Sequence, residues 1–131
     1  MKAWMLSLCL LLLGTPAIAR DEARTERVTF ARGTSSKVIK SSVRGYDVVY
    51  YLVGARAGQT LNVKMTTSNA SSYFNVSAAG ADQALFAGST SGNAFSGKLP
   101  ASGDYKVEVY LMRNAARRGE TAKYALTIGV R

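Results

Sequence analysis

Tyr105-Lys106-Val107-Glu108-Val109-Tyr110-Leu111 places Tyr105, Val107, Val109 and Leu111 on one side of an extended chain and Lys106, Glu108 and Tyr110 on the other. Successive side chains of a strand point to opposite faces, so the segment has the pattern of a strand with one buried and one wet face. The same period runs through Tyr124, Leu126, Ile128 and Val130, and through Leu61, Val63 and Met65 against Asn62, Lys64 and Thr66. Residues 46–53 differ. They are apolar at almost every position and rich in β-branched and aromatic types, as expected of a central strand covered on both sides.

Shorter strand patterns lie at residues 28–31, 37–43, 72–78, 83–87 and 95–99. Turn chemistry separates them, as at Arg44-Gly45, Ala57-Gly58, Ser91-Gly92-Asn93 and Pro100-Ala101-Ser102-Gly103-Asp104. No segment carries a helical stripe of useful length, and the polar run over residues 66–72 reads as a long loop. Short strands punctuated at this spacing predict an all-β chain, a single antiparallel β-sandwich of roughly eight short strands.

The N-terminus reads differently. Lys2, an apolar run over residues 3–13 and then Gly14-Thr15-Pro16-Ala17-Ile18-Ala19 have the order of a signal peptide, with small residues at the cleavage positions. The run is about half the roughly 20 residues a membrane span needs, so no membrane anchor is expected after cleavage. The expected organisation is a signal peptide over 1–19, a flexible arm of mixed charge over 20–27, and a β-sandwich domain over 28–131. Cys9, the only cysteine, falls inside the leader, so the exported chain holds no disulfide. Loss of Lys2 takes the formal charge from +9 to +8. In an exported protein that charge points to anionic partners of the envelope, or to an acidic protein cleft, rather than to nucleic acid.

The chain has no histidine, so with the cysteine removed the usual bases, nucleophiles and transition-metal ligands are missing. Catalysis would have to rest on Asp47, Asp82, Asp104, Glu108 and Glu120, which are isolated from one another in sequence. The expectation is a protein with no catalytic residues, no metal and no cofactor. The segment from Arg113 to Glu120 is too long for a tight hairpin. If Asn114 caps one helical turn, Arg113 and Arg117, four apart, share a face and present two planar forks of donors suited to carboxylates. Spacing alone leaves open a solvated charged loop there. By position alone Tyr46 reads as a core or rim aromatic, and Ser102 and Asp104 as shapers of the turn before Tyr105.

Taken together, Gly45-Tyr46-Asp47, Leu99-Pro100-Ala101-Ser102-Gly103-x-Tyr105 and Arg113-Asn114-x-Ala116-Arg117, with Phe30, Gly33, Ser35-Ser36 and Ala57-Gly58-Gln59, resemble the periplasmic inhibitors of goose-type lysozyme over residues 28–130. The resemblance implies an antiparallel β-sandwich that binds a lysozyme, occludes its acidic active-site cleft and protects bacterial peptidoglycan. It also implies that Tyr46, Arg113 and Arg117 are the partner-binding residues. Residues 67–95 match little of the family's pattern; if they form part of the rim, the target lysozyme differs accordingly. Another resemblance, of the Ala57-Gly58-Gln59-Thr60-Leu61-Asn62-Val63 and Pro100-Ala101-Ser102-Gly103-Asp104-Tyr105 segments, is to small β-sandwich modules appended to secreted peptidases. That reading makes the chain a module binding glycan or another anionic envelope component.

Overall fold

The computed structural model describes residues 23–131, so the expected signal peptide lies outside the described residues. Within them the strands are β1 (Ala23–Arg27), β2 (Ser36–Arg44), β3 (Val48–Ala55), β4 (Thr60–Thr67), β5 (Ser72–Ala78), β6 (Phe86–Ala87), β7 (Ala94–Lys98), β8 (Gly103–Leu111) and β9 (Thr121–Val130). Two short helices, α1 (Gly88–Ser91) and α2 (Arg113–Arg117), interrupt them. The strands form two sheets in the orders β1-β3-β8-β5-β6 and β2-β9-β4-β7, the all-β sandwich expected. Every pairing is antiparallel except that of β1 with β3.

Alternation builds the core. Val107 of β8 sits between Tyr51 of β3 and Val76 of β5, and Val109 between Val49 and Phe74; all of these are buried. In the facing sheet Leu126 of β9 lies between Ile39 and Met65. Tyr51 and Tyr124 meet between the sheets, their hydroxyls 2.6 Å apart, so each buried phenol has a partner. Tyr105 donates from its hydroxyl to the Ala101 carbonyl at 2.6 Å. That bond closes the Leu-Pro-Ala-Ser-Gly-x-Tyr segment on itself, in the manner of a tyrosine corner.

Several expectations need correction. Residues 23–27, expected within a flexible arm, form β1, while residues 28–31, expected to be a strand, do not. The anchors of β1 are polar and so invisible to apolar periodicity: Arg27 grips Asp104 through two bonds of 3.0 and 2.7 Å, and Arg24 reaches Ser41 of the other sheet at 2.7 Å. The Arg27 guanidinium hydrogen-bonded to Asp104 holds that carboxyl below its usual range. β3 is not the central strand. β8 is, and the outer side of β3 is only half-covered, with the ammonium of Lys106 4.9 Å from the Tyr50 ring centre. The loop expected over 66–72 shrinks to residues 68–71, because Thr66 and Thr67 continue β4 against Ala125 and Tyr124. Of residues 83–87 only Phe86–Ala87 pair as a strand.

Candidate functional site

Three connections cross between the sheets at one end of the sandwich: β2 to β3, β4 to β5, and β8 through α2 to β9. They are stitched to one another. The Gly45 amide donates to the Glu120 carbonyl at 2.9 Å, and the Met112 amide to the Ser71 carbonyl at 2.8 Å. Asn69 donates from its side chain to the Glu120 carboxylate at 2.9 Å. Tyr46, Arg113 and Arg117 stand on the first and third of these arches, so the fold gathers residues 67 to 71 positions apart in sequence at one end.

Tyr46 lies outside β3, in a turn closed by the Asp47 amide donating to the Arg44 carbonyl at 3.0 Å. Gly45 takes φ +60°, which turns the chain so that Tyr46 projects outward. Its side chain is 46% exposed, a rim residue rather than a core one. On the facing arch, Ala115 and Ala116 are buried, and their small side chains let α2 seat closely on the sandwich. Seating that face leaves Arg113 and Arg117 exposed one helical turn apart. The cap is not Asn114. Met112 occupies the N-cap position with no side-chain bond, while Asn114 sits inside the helix and accepts from the Ala115 amide.

Charge is distributed unevenly over this arch. Arg118 donates to Glu120 at 2.6 Å, whereas neither Arg113 nor Arg117 forms an ion pair among the described residues. Hydrogen bonds from Asn69, and then from Arg118, hold the Glu120 carboxyl below its usual range. Glu120 therefore stays ionised and fixed while two guanidiniums remain available. Met112, 38% exposed, adds apolar surface beside them. No group of three His, Cys, Asp or Glu side chains among the described residues is arranged to hold a metal, and none of the helices there is long and apolar enough to cross a membrane.

An "Inhibitor of g-type lysozyme" from Escherichia coli K12 is 32% identical over 107 residues, which cover 79% of this chain and 79% of that protein. The chain belongs to the family of g-type lysozyme inhibitors. The crystal structure of a member from Aeromonas hydrophila, described as a periplasmic lysozyme inhibitor of g-type lysozyme, superposes with a TM-score of 0.77 at 38% identity. The match covers 86% of this chain and all of that one. The pre-peptidase C-terminal domain of a Bacillus anthracis collagenase reaches a TM-score of 0.53 at 14% identity over 86% of this chain and 97% of that one, a likeness of fold alone. No protein-family profile matches the chain.

Within this inhibitor the sequence pointed to Tyr46, Arg113 and Arg117 but missed Asn69, Met112 and Glu120 at the same end. Asn69 and Glu120 are 51 positions apart, and no periodicity links an amide in one loop to an acid in another. Met112 was hidden by its place directly after the alternating run of β8. The poorly matching residues 67–95 contribute Asn69, which bonds to Glu120 and to the Thr121 carbonyl.

Proposed function

We propose that this chain is a periplasmic inhibitor of a g-type lysozyme, with Tyr46, Arg113 and Arg117 as the group that enters the enzyme's cleft. The observation that carries the reading is two exposed guanidiniums, in no ion pair among the described residues, on an arch braced against the arch that presents Tyr46. Glycoside hydrolases set carboxylates beside the scissile bond and stabilise a positively charged transition state. A guanidinium placed there meets groups disposed to accept a cation, and its planar fork matches a carboxylate. Tyr46 adds a rigid amphipathic ring at little conformational cost. Inhibition is then occlusion: the substrate is excluded and no covalent step occurs. Export follows from the leader, with cleavage after Ala19 giving a mature chain that begins at Arg20.

An inhibition panel over goose, chicken and invertebrate lysozymes tests the reading. Inhibition of the goose type is expected; a wild-type protein that inhibits none of them overturns the function. A protein that inhibits equally well after Arg113→Ala and Arg117→Ala overturns the site alone.

A further inference from the structure

We propose that the outer face of the four-stranded sheet is a second binding surface, which takes an extended glycan carrying carboxylates and operates independently of the lysozyme-binding end. In β9 the buried residues Ala122, Tyr124, Leu126, Ile128 and Val130 face the core, which leaves Thr121, Lys123, Ala125, Thr127 and Gly129 outside. Register fixes their neighbours. Lys40 lies beside Ala125, Ser42 beside Lys123, and both Val38 and Lys64 beside Thr127. With Arg44 at one corner and Lys98 on β7, the face carries five basic side chains and no acidic one among the described residues. The opposite sheet is balanced by contrast, with Asp104 and Glu108 among Arg27 and Lys106.

Two further features point to a bound polymer. Lys40, Lys64, Lys98 and Lys123 are exposed and form no ion pair among the described residues. The side chains between them are small, and the face is grooved rather than flat. One groove of about 580 Å³ is lined by Ser36, Asn62, Lys64, Phe95, Thr127 and Gly129, and a second of about 550 Å³ by Lys40, Ser42, Thr66, Lys123 and Ala125; polar groups are set in a largely apolar floor, as a sugar ring with its hydroxyls requires. Both follow β9, one beside Lys123 and Ala125 and the other beside Thr127 and Gly129, so the two grooves lie in succession over roughly 20 Å at a strand's rise per residue.

The lining selects the ligand. Hydroxyl and amide groups of Ser36, Asn62, Thr66 and Thr127 suit sugar hydroxyls, and the lysines supply mobile point charges for carboxylates that vary in position along a chain. A membrane surface would want apolar side chains to insert, and among the described residues Val38 is the one large hydrophobe exposed on this face. Single-stranded nucleic acid would want stacking aromatics, which the exposed rows lack. The carboxylate-bearing glycan at hand for a periplasmic protein is the peptidoglycan itself. Binding it would concentrate the inhibitor where a lysozyme attacks.

Co-sedimentation of the protein, purified from periplasm, with purified Gram-negative sacculi tests the assignment. The wild type is expected to pellet at low salt and to be released at high salt, since the contacts are exposed charges. Lys64→Glu with Lys123→Glu should weaken binding about tenfold or more, with an unchanged melting temperature. The control Arg32→Glu with Arg56→Glu, the same charge change at exposed loop positions, and Arg113→Ala with Arg117→Ala should pellet like wild type. The proposal is overturned if the wild type stays in solution at low salt, if both charge reversals weaken binding equally, or if phosphatidylglycerol vesicles retain the protein better than sacculi. None of these outcomes depends on which lysozyme is inhibited.

Discussion

The side-chain amide of Asn69 donates to Glu120 Oε1 at 2.9 Å, and Arg118 donates to the other carboxylate oxygen at 2.6 Å. One carboxylate thus joins the β4–β5 arch to the arch that carries Arg113 and Arg117. Its backbone carbonyl, receiving the Gly45 amide, also joins both to the Tyr46 turn. Preorganisation of this kind lowers the conformational cost of binding. Glu120→Ala should therefore weaken lysozyme inhibition several-fold without touching a contact residue, chiefly as a slower association of a loosened loop. Because the carboxyl is held below its usual range, its contribution is present above the ordinary glutamate pKa and is lost as pH falls through the lowered folded value. Acid titration of the melting temperature should show a shallower decline for Glu120→Gln than for the wild type.

Arg113→Ala and Arg117→Ala should each cost about 2 kcal/mol or more of binding, the size of a hot-spot truncation, and change stability by less than about 0.5 kcal/mol. Isothermal titration against a goose-type lysozyme, paired with thermal melts, separates the two effects. Arg118 is a brace for Glu120, so its replacement should lower the melting temperature slightly. Arg32, exposed and remote in sequence from the arches, is the better control.

Burial, and then the bond to Tyr124, push the Tyr51 phenol far above its usual value. Its neutral form is the folded form, so this contribution is complete below pH 10 and is lost as pH rises further. Spectrophotometric titration should show Tyr51 ionising only with unfolding. Tyr51→Phe should remove this late phase and leave the Tyr124 hydroxyl short of a partner, at a cost of about 1–3 kcal/mol. Ionisation of Tyr51 without loss of structure would show that the buried pair is more open than its 2.6 Å separation indicates.

The sandwich was legible because burial in β4, β8 and β9 follows a period of two, which depends only on which side chains are apolar. The same logic hid β1. Arg24, Glu26 and Arg27 are held by Ser41, by each other and by Asp104, contacts that polar composition disguises as a solvated arm. The rank of β3 is not legible in the same way, because its apolar residues on both faces imply cover on both sides, whereas Val48, Tyr50 and Leu52 are only half-buried on the outer face. At the end of the sandwich proposed to bind, motif order marks Tyr46 and the two arginines. The brace between them, Asn69 to Glu120, is a tertiary contact between two loops, and loops carry no period from which to read it.

Gly45 offers the sharpest test of how the Tyr46 turn is held. Its φ of +60° lies in the left-handed region, and a Cβ added there would stand 3.6 Å from the Ala116 carbonyl oxygen, an ordinary contact. Alanine therefore meets no clash and bears only the backbone penalty, about 1–2 kcal/mol for an L-residue in this conformation. Asparagine tolerates the same region better, because its short polar side chain bonds locally. Valine is worse than either, since its branched side chain brings bulk toward α2 and resists the conformation. The expected order of melting temperature is Gly, Asn, Ala, Val, and the order of lysozyme inhibition should follow it, because Tyr46 is displaced as the turn relaxes. An alanine variant that melts lower yet inhibits fully would show that Tyr46 finds its place without the turn, and a valine variant matching wild type in both would overturn the conformational argument altogether.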